Sequence, residues 1–89
     1  EEALKWGLLN KVVPASELLH EAETLLLRIA EKAPVAVGAV IASVNAYFNK
    51  PGNGFKEEVI QFGKTTLTAD FIEGAQAFIE KRKPNFTGK

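Results

Sequence analysis

Residues Glu73–Phe86, EGAQAFIEKRKPNF, carry the pattern from which the rest of the chain can be read. Phe71, Ala75 and Phe78 recur at i, i+4 and i+7, with Ile72 and Ile79 beside them, the spacing of one apolar helix face. Lys81, Arg82 and Lys83 fall in the expected last turn, where the carbonyl end of a helix favours positive charge. Pro84 cannot continue a helix and biases Lys83 away from helical geometry. Asp70 is the expected N-cap, with Glu73 three residues on as a variant of the capping box. The stretch therefore predicts a helix with a start, an apolar face, a cationic end and a stop. The chain upstream is expected to supply a surface on which that face packs. Spacing alone leaves two readings of the cations. The commoner is dipole complementarity plus solubility; the other is an anion site in which one cation reaches a phosphate.

A chain of 89 residues is one small domain or part of one, expected to bury roughly 60–65% of its unfolded surface. Apolar residues make up 46% and charged residues 25%, an ordinary globular balance. Eleven cations balance eleven anions, which argues against a nucleic-acid or membrane-surface partner. The same neutrality offers little repulsion against self-association. The chain has no cysteine, so disulfides, thiolate zinc sites and cysteine nucleophiles are excluded within it. His20 is the single histidine and cannot form a metal cluster alone. No apolar run reaches the length of a membrane span, and no signal-peptide pattern opens the chain; the expected compartment is the cytoplasm. Methionine is absent, and EEALKWG begins inside a helical pattern without a cap. The chain is expected to be a piece of a longer protein.

Glu1–Trp6 reads as the tail of a helix, with Gly7 as its stop. Leu8–Val13 reads as extended, ending at Pro14, with no second strand to pair with. Ser16 is the expected N-cap of a helix running to about Lys32. Leu18, Ala22, Leu25 and Ile29 form one apolar row on it; Leu19, Leu26, Ala30 and Ala33 form another, which implies contacts on more than one side. Pro34 suits the first turn of the next helix. Val37, Val40, Ile41, Val44, Tyr47 and Phe48 keep helical spacing there, and the charge-free run Ala33–Ala46 reads as a helix buried between neighbours. Pro51, Gly52, Asn53 and Gly54 read as a loop. Phe55, Val59 and Phe62 resume the helical pattern, and Gly63 weakens that helix or admits a close neighbour. Thr65–Asp70 breaks it and starts the last helix. The expected fold class is all-α, with about four amphipathic helices and a short extended N-terminal stretch.

No spacing in the chain states an active site. A nucleophile needs an adjacent base, and His20 lies among polar positions at a helix start, where it reads as a surface residue. Glu1/Glu2 and Glu57/Glu58 are adjacent on helices and diverge, so they read as solvated faces. No catalytic residue and no metal ligand is assigned.

Four phrases, taken together and in order, resemble the C-terminal portion of the enoyl-CoA hydratase/isomerase (crotonase) superfamily. They are EEALKWGLLNKVVP at Glu1–Pro14, KAPVAV at Lys32–Val37, the glutamate-rich approach to Phe62, and DFIEGAQAFIEKRKPNFTGK at Asp70–Lys89. The resemblance spans essentially the whole chain. One departure is Ile41, where family members often carry a lysine. The resemblance implies a full protein with a spiral β-β-α core followed by helices that build a trimer, commonly a dimer of trimers. Residues 1–14 would then end the core, and residues 15–89 would form the helical oligomerisation and CoA-edge region. It implies action on acyl-CoA thioesters, with coenzyme A as part of the substrate and no separate cofactor. In the hydratases an oxyanion hole and a pair of glutamates, both upstream of this segment, add water across the double bond. Phe62 resembles an aromatic residue that packs near the CoA adenine, and Lys81 resembles a lysine that pairs with a CoA phosphate. The chain alone is expected to be inactive and to self-associate, as a dimer by first choice, through its surplus apolar faces. The alternative from another class is a helical protein-interaction module with no ligand.

Overall fold

The computed structural model describes residues 1–49 and 54–89. Among these residues five α-helices follow one another: α1 (Glu2–Lys5), α2 (Leu18–Ala30), α3 (Pro34–Asn49), α4 (Gly54–Thr65) and α5 (Ala69–Glu80). A 3₁₀ turn, Ala15–Glu17, leads into α2. No strand occurs among the described residues, so the class is all-α. Leu8–Val13 adopts no regular secondary structure, so the extended reading of that stretch is not realised as a strand. Pro51–Asn53 of the expected loop lie outside the described residues, and Gly54 opens α4 rather than closing the loop.

Local chemistry explains the boundaries. Gly7 takes φ +71 after α1; its N–H donates to the Leu4 carbonyl at 3.1 Å and that of Leu8 to Ala3 at 2.9 Å. That is the paired closure in which glycine ends a helix without Cβ strain. Pro34 occupies the first position of α3, and the Val37 N–H donates to the Ala33 carbonyl at 3.0 Å. Ser16 does not cap α2: it lies inside the 3₁₀ turn, and Glu17 precedes the helix without a side-chain cap. Helix α2 ends at Ala30, two residues short of the expected Lys32.

The capping of α5 also differs from expectation. Thr68 is the N-cap, in extended geometry, with its hydroxyl oxygen accepting from the Phe71 N–H at 3.2 Å. Asp70 is already helical and faces elsewhere. Thr68 wins because its hydroxyl sits beside the orphan amides of the first turn.

Helices α3 and α4 make the one extensive helix–helix contact among the described residues. Gly54 permits it: a Cβ there would stand 2.7 Å from the Tyr47 Cα, nearer than a methyl group can approach backbone. The rings of Tyr47 and Phe55 meet edge to face at 6.3 Å. Gly63 has open space where a side chain would be, so no neighbour among the described residues exploits it.

The expected burial does not occur within the chain. Ala46 and Ala77 are the buried apolar side chains among the described residues. Leu19 is 83% exposed and Phe78 86%, and on α3 Val40 and Ile41 are more than half exposed. The face of α5 that was expected to pack upstream is therefore bare. The radius of gyration is 16.6 Å, against about 12 Å for a compact chain of this length. The accessible surface is 7612 Å², some 2,500 Å² above the roughly 5,100 Å² of a compact monomer of this mass. About 46% of the unfolded surface is buried, not 60–65%.

Candidate functional site: a groove and a strapped tail

After α5 the chain turns back along the helix. Lys81 adopts φ 55 and ψ 38, the left-handed region. Its N–H donates to Phe78 at 3.3 Å, and that of Arg82 donates to Ala77 at 3.0 Å. This is the same paired closure as at Gly7, with a lysine in the glycine position. The helix therefore stops at Glu80, two residues before Arg82, and the cations are not in its last turn.

The returning tail is fixed at three levels. Nearest the turn, Arg82 Nη1 and Nη2 donate to the two oxygens of Glu73 at 2.6 and 2.9 Å, and Nε donates to Glu80 at 2.6 Å. Glu73 Oε1 also accepts from the Asn85 N–H at 2.8 Å. In the middle, Phe86 lies over Gly74, where a Cβ would come within 3.4 Å of the ring. At the end, the Asp70 carboxylate accepts from the N–H groups of Thr87 and Gly88 at 2.7 and 2.8 Å, and from the Thr87 hydroxyl at 3.3 Å. The Asp70 N–H donates to the Lys89 carbonyl at 3.0 Å. Asp70 is 2% exposed, the most buried polar side chain described, and its donors satisfy it.

These contacts set the electrostatics. The hydrogen bonds from Arg82 first, and from the Asn85 N–H second, pull the Glu73 carboxyl from 4.5 down to about 2. The same pairing raises the Arg82 guanidinium above its ordinary value. Glu80 is lowered by Arg82 and then by Gln76. Lys83 Nζ pairs with Glu31 at 2.6 Å, tying the tail to the end of α2 and lowering that carboxyl. Arg82 and Lys83 are thus engaged within the chain, whereas Lys81, among the described residues, makes no ion pair.

An open groove of about 1050 Å³ runs between α3, α4 and α5. Its apolar lining includes Val44, Phe55, Phe62, Phe71 and, from the tail, Phe86. Phe62 stands on the last turn of α4 and is 64% exposed. Lys81 is not part of this lining. It lies beyond the far end of α5, whose 12 residues span about 18 Å. The structure therefore places Phe62 in a groove and Lys81 at an exposed turn, without joining them. No group of three or more His, Cys, Asp or Glu side chains that could hold a metal occurs among the described residues. No helix among them is long and apolar enough to cross a membrane. His20 is exposed, as expected.

The family model for enoyl-CoA hydratase/isomerase matches residues 1–89. The chain belongs to that family. It is 36% identical to the carnitinyl-CoA dehydratase of Salmonella typhi, over all of this chain and 36% of the relative. It thus spans little more than a third of the curated relatives it matches. An enoyl-CoA hydratase from Bacillus anthracis superposes over 99% of this chain and 34% of its own, with TM-score 0.91 and 32% identity. An enoyl-CoA hydratase from Mycobacterium tuberculosis H37Rv covers 98% and 35%, with TM-score 0.86 and 30% identity. The open helical arrangement of this hydratase/isomerase family chain therefore recurs as about a third of longer solved chains.

Sequence reasoning missed the tail strap. Glu73 and Arg82 are nine residues apart, outside the i, i+4 rule, and meet only because the chain reverses. One signal was available: the helix had to end before Pro84 with no glycine at hand, which left a cation as the residue to take any left-handed closing position.

Proposed function

We propose that this chain is the helical C-terminal segment of an enoyl-CoA hydratase/isomerase family enzyme. The whole enzyme acts on acyl-CoA thioesters in the cytoplasm, most simply by hydrating a 2-enoyl-CoA to a 3-hydroxyacyl-CoA. Relatives named as hydratase and as dehydratase support water addition or removal on a CoA ester as the reaction type. In this reading the segment supplies no catalytic acid or base. Lys81 pairs with a CoA phosphate, Phe62 packs near the adenine, and the bare apolar faces meet the remainder of the enzyme and its neighbouring subunits in a trimer or hexamer.

The observation that carries the reading is the excess surface of about 2,500 Å² on a chain whose arrangement matches segments of larger enzymes. An excess of that size falls in the range of obligate interfaces, and the family match over residues 1–89 favours a part of such an enzyme over a helical protein-interaction module with no ligand. The test is steady-state hydration of crotonyl-CoA by the full-length protein, with Lys81→Ala beside it. A partly exposed charge-assisted contact contributes about 1–2 kcal/mol, so KM should rise roughly 5- to 30-fold with kcat little changed. An unchanged KM at every salt concentration returns Lys81 to a helix-end solubility role.

A further inference from the structure

The left-handed position at a helix end is normally glycine, because a Cβ is strained there. Here it is Lys81, at φ 55, and the residues around it show what holds it. Arg82 is gripped by both oxygens of Glu73, and the same carboxylate takes the Asn85 N–H at 2.8 Å. Glu73 thus binds the returning chain at two points that bracket Pro84. A right-handed Lys81 would let the helix run on, and neither Arg82 nor Asn85 would come back to Glu73. An isolated surface ion pair contributes little, but a planar fork on both carboxylate oxygens plus a main-chain hydrogen bond fixes geometry. The grip also engages the neighbouring cation, leaving the Lys81 ammonium as the one without an ion pair in this turn among the described residues.

We propose that Glu73 is a positioning residue for the CoA site: by clamping Arg82 and the Asn85 amide, it holds Lys81 in the left-handed turn from which the ammonium meets the phosphate. The inference rests on the reading of Lys81 as phosphate ligand. Its energetic logic is preorganisation, since a lysine already held in its bound geometry loses less freedom on binding.

The test uses the full-length protein, with coenzyme A titrated by calorimetry, crotonyl-CoA kinetics, and hydrogen exchange at the Asn85 amide. Glu73→Ala should raise the CoA Kd and the KM about three- to tenfold while kcat holds, and should deprotect the Asn85 amide. Glu73→Gln, which keeps an acceptor for that amide, should recover part of the affinity. Glu73→Ala combined with Lys81→Ala should bind no worse than Lys81→Ala alone. A Glu73→Ala loss of full size in the Lys81→Ala background overturns positioning in favour of a general structural role. A protected Asn85 amide in Glu73→Ala overturns the clamp itself. An unchanged Kd in Lys81→Ala overturns the phosphate reading instead, and with it the inference built on that reading.

Discussion

Asp70→Asn should loosen the end of the tail while preserving the shape of the side chain. The carboxylate now accepts from two main-chain amides, of Thr87 and Gly88, one on each oxygen. An amide has one acceptor oxygen, so its NH₂ would face one of the two N–H donors. A hydrogen bond to a charged group contributes about 1.5–3 kcal/mol, and opposed donors add to the loss, giving about 2–4 kcal/mol. Solvent relieves little of this, since Asp70 is 2% exposed. The assay is hydrogen exchange of the Thr87 and Gly88 amides in the full-length protein under conditions where reclosing is fast. Exchange tracks the opening free energy there, so 2–4 kcal/mol corresponds to about 30- to 800-fold faster exchange, up to the tail's whole protection. Amides near Ala46, buried on α3, should be unaffected. Unchanged exchange at both tail amides would show that Asp70 does not hold the tail, whatever its burial.

Further outcomes follow from the same structure. The Glu73 carboxyl is lowered from 4.5 to about 2 in the fold, so its contribution to tail docking is complete above pH 4.5 and is lost as pH falls toward 2. The Asn85 amide resonance followed from pH 6 to pH 2 should therefore move in the lower part of that range and not near 4.5; the effect should shrink in high salt, because the pair is exposed. Gly54→Ala drives a methyl group into the backbone at Tyr47, and should destabilise by about 1–3 kcal/mol in urea denaturation despite the better helix propensity of alanine. Thr68→Ala removes the cap of α5 and should cost about 1 kcal/mol by the same assay; no change would mean that the first turn is held by the tail alone. The isolated chain should sediment as a concentration-dependent dimer, since large apolar side chains such as Leu19, Phe48 and Phe78 are exposed; a monomer mass throughout the range would show that the bare faces tolerate water.

Helical periodicity is a local property, and it was legible. Phe71, Ala75 and Phe78 share one side of α5, Pro34 starts α3, and Gly7 stops α1, because each depends only on neighbours within a turn or two. The phrases around Phe62 and Lys81 pointed to the family for the same reason, being contiguous in the chain. What the sequence could not decide was competition. Thr68 and Asp70 are both able caps, and Asp70 lost that role because the tail, 17 and 18 residues away, offered it two amides and a dry site. Arg82, Lys81 and Lys83 are equivalent as a charge run; only the chain reversal assigns Arg82 to Glu73, Lys83 to Glu31, and leaves Lys81 without an ion pair among the described residues. Apolar periodicity marks a face that prefers burial but not what covers it. In this chain α3 and α4 cover part of one another, and most of the remaining apolar surface stays open. Burial is a sum over everything within reach, so it belongs to tertiary structure, where caps, cations and faces find or fail to find their partners.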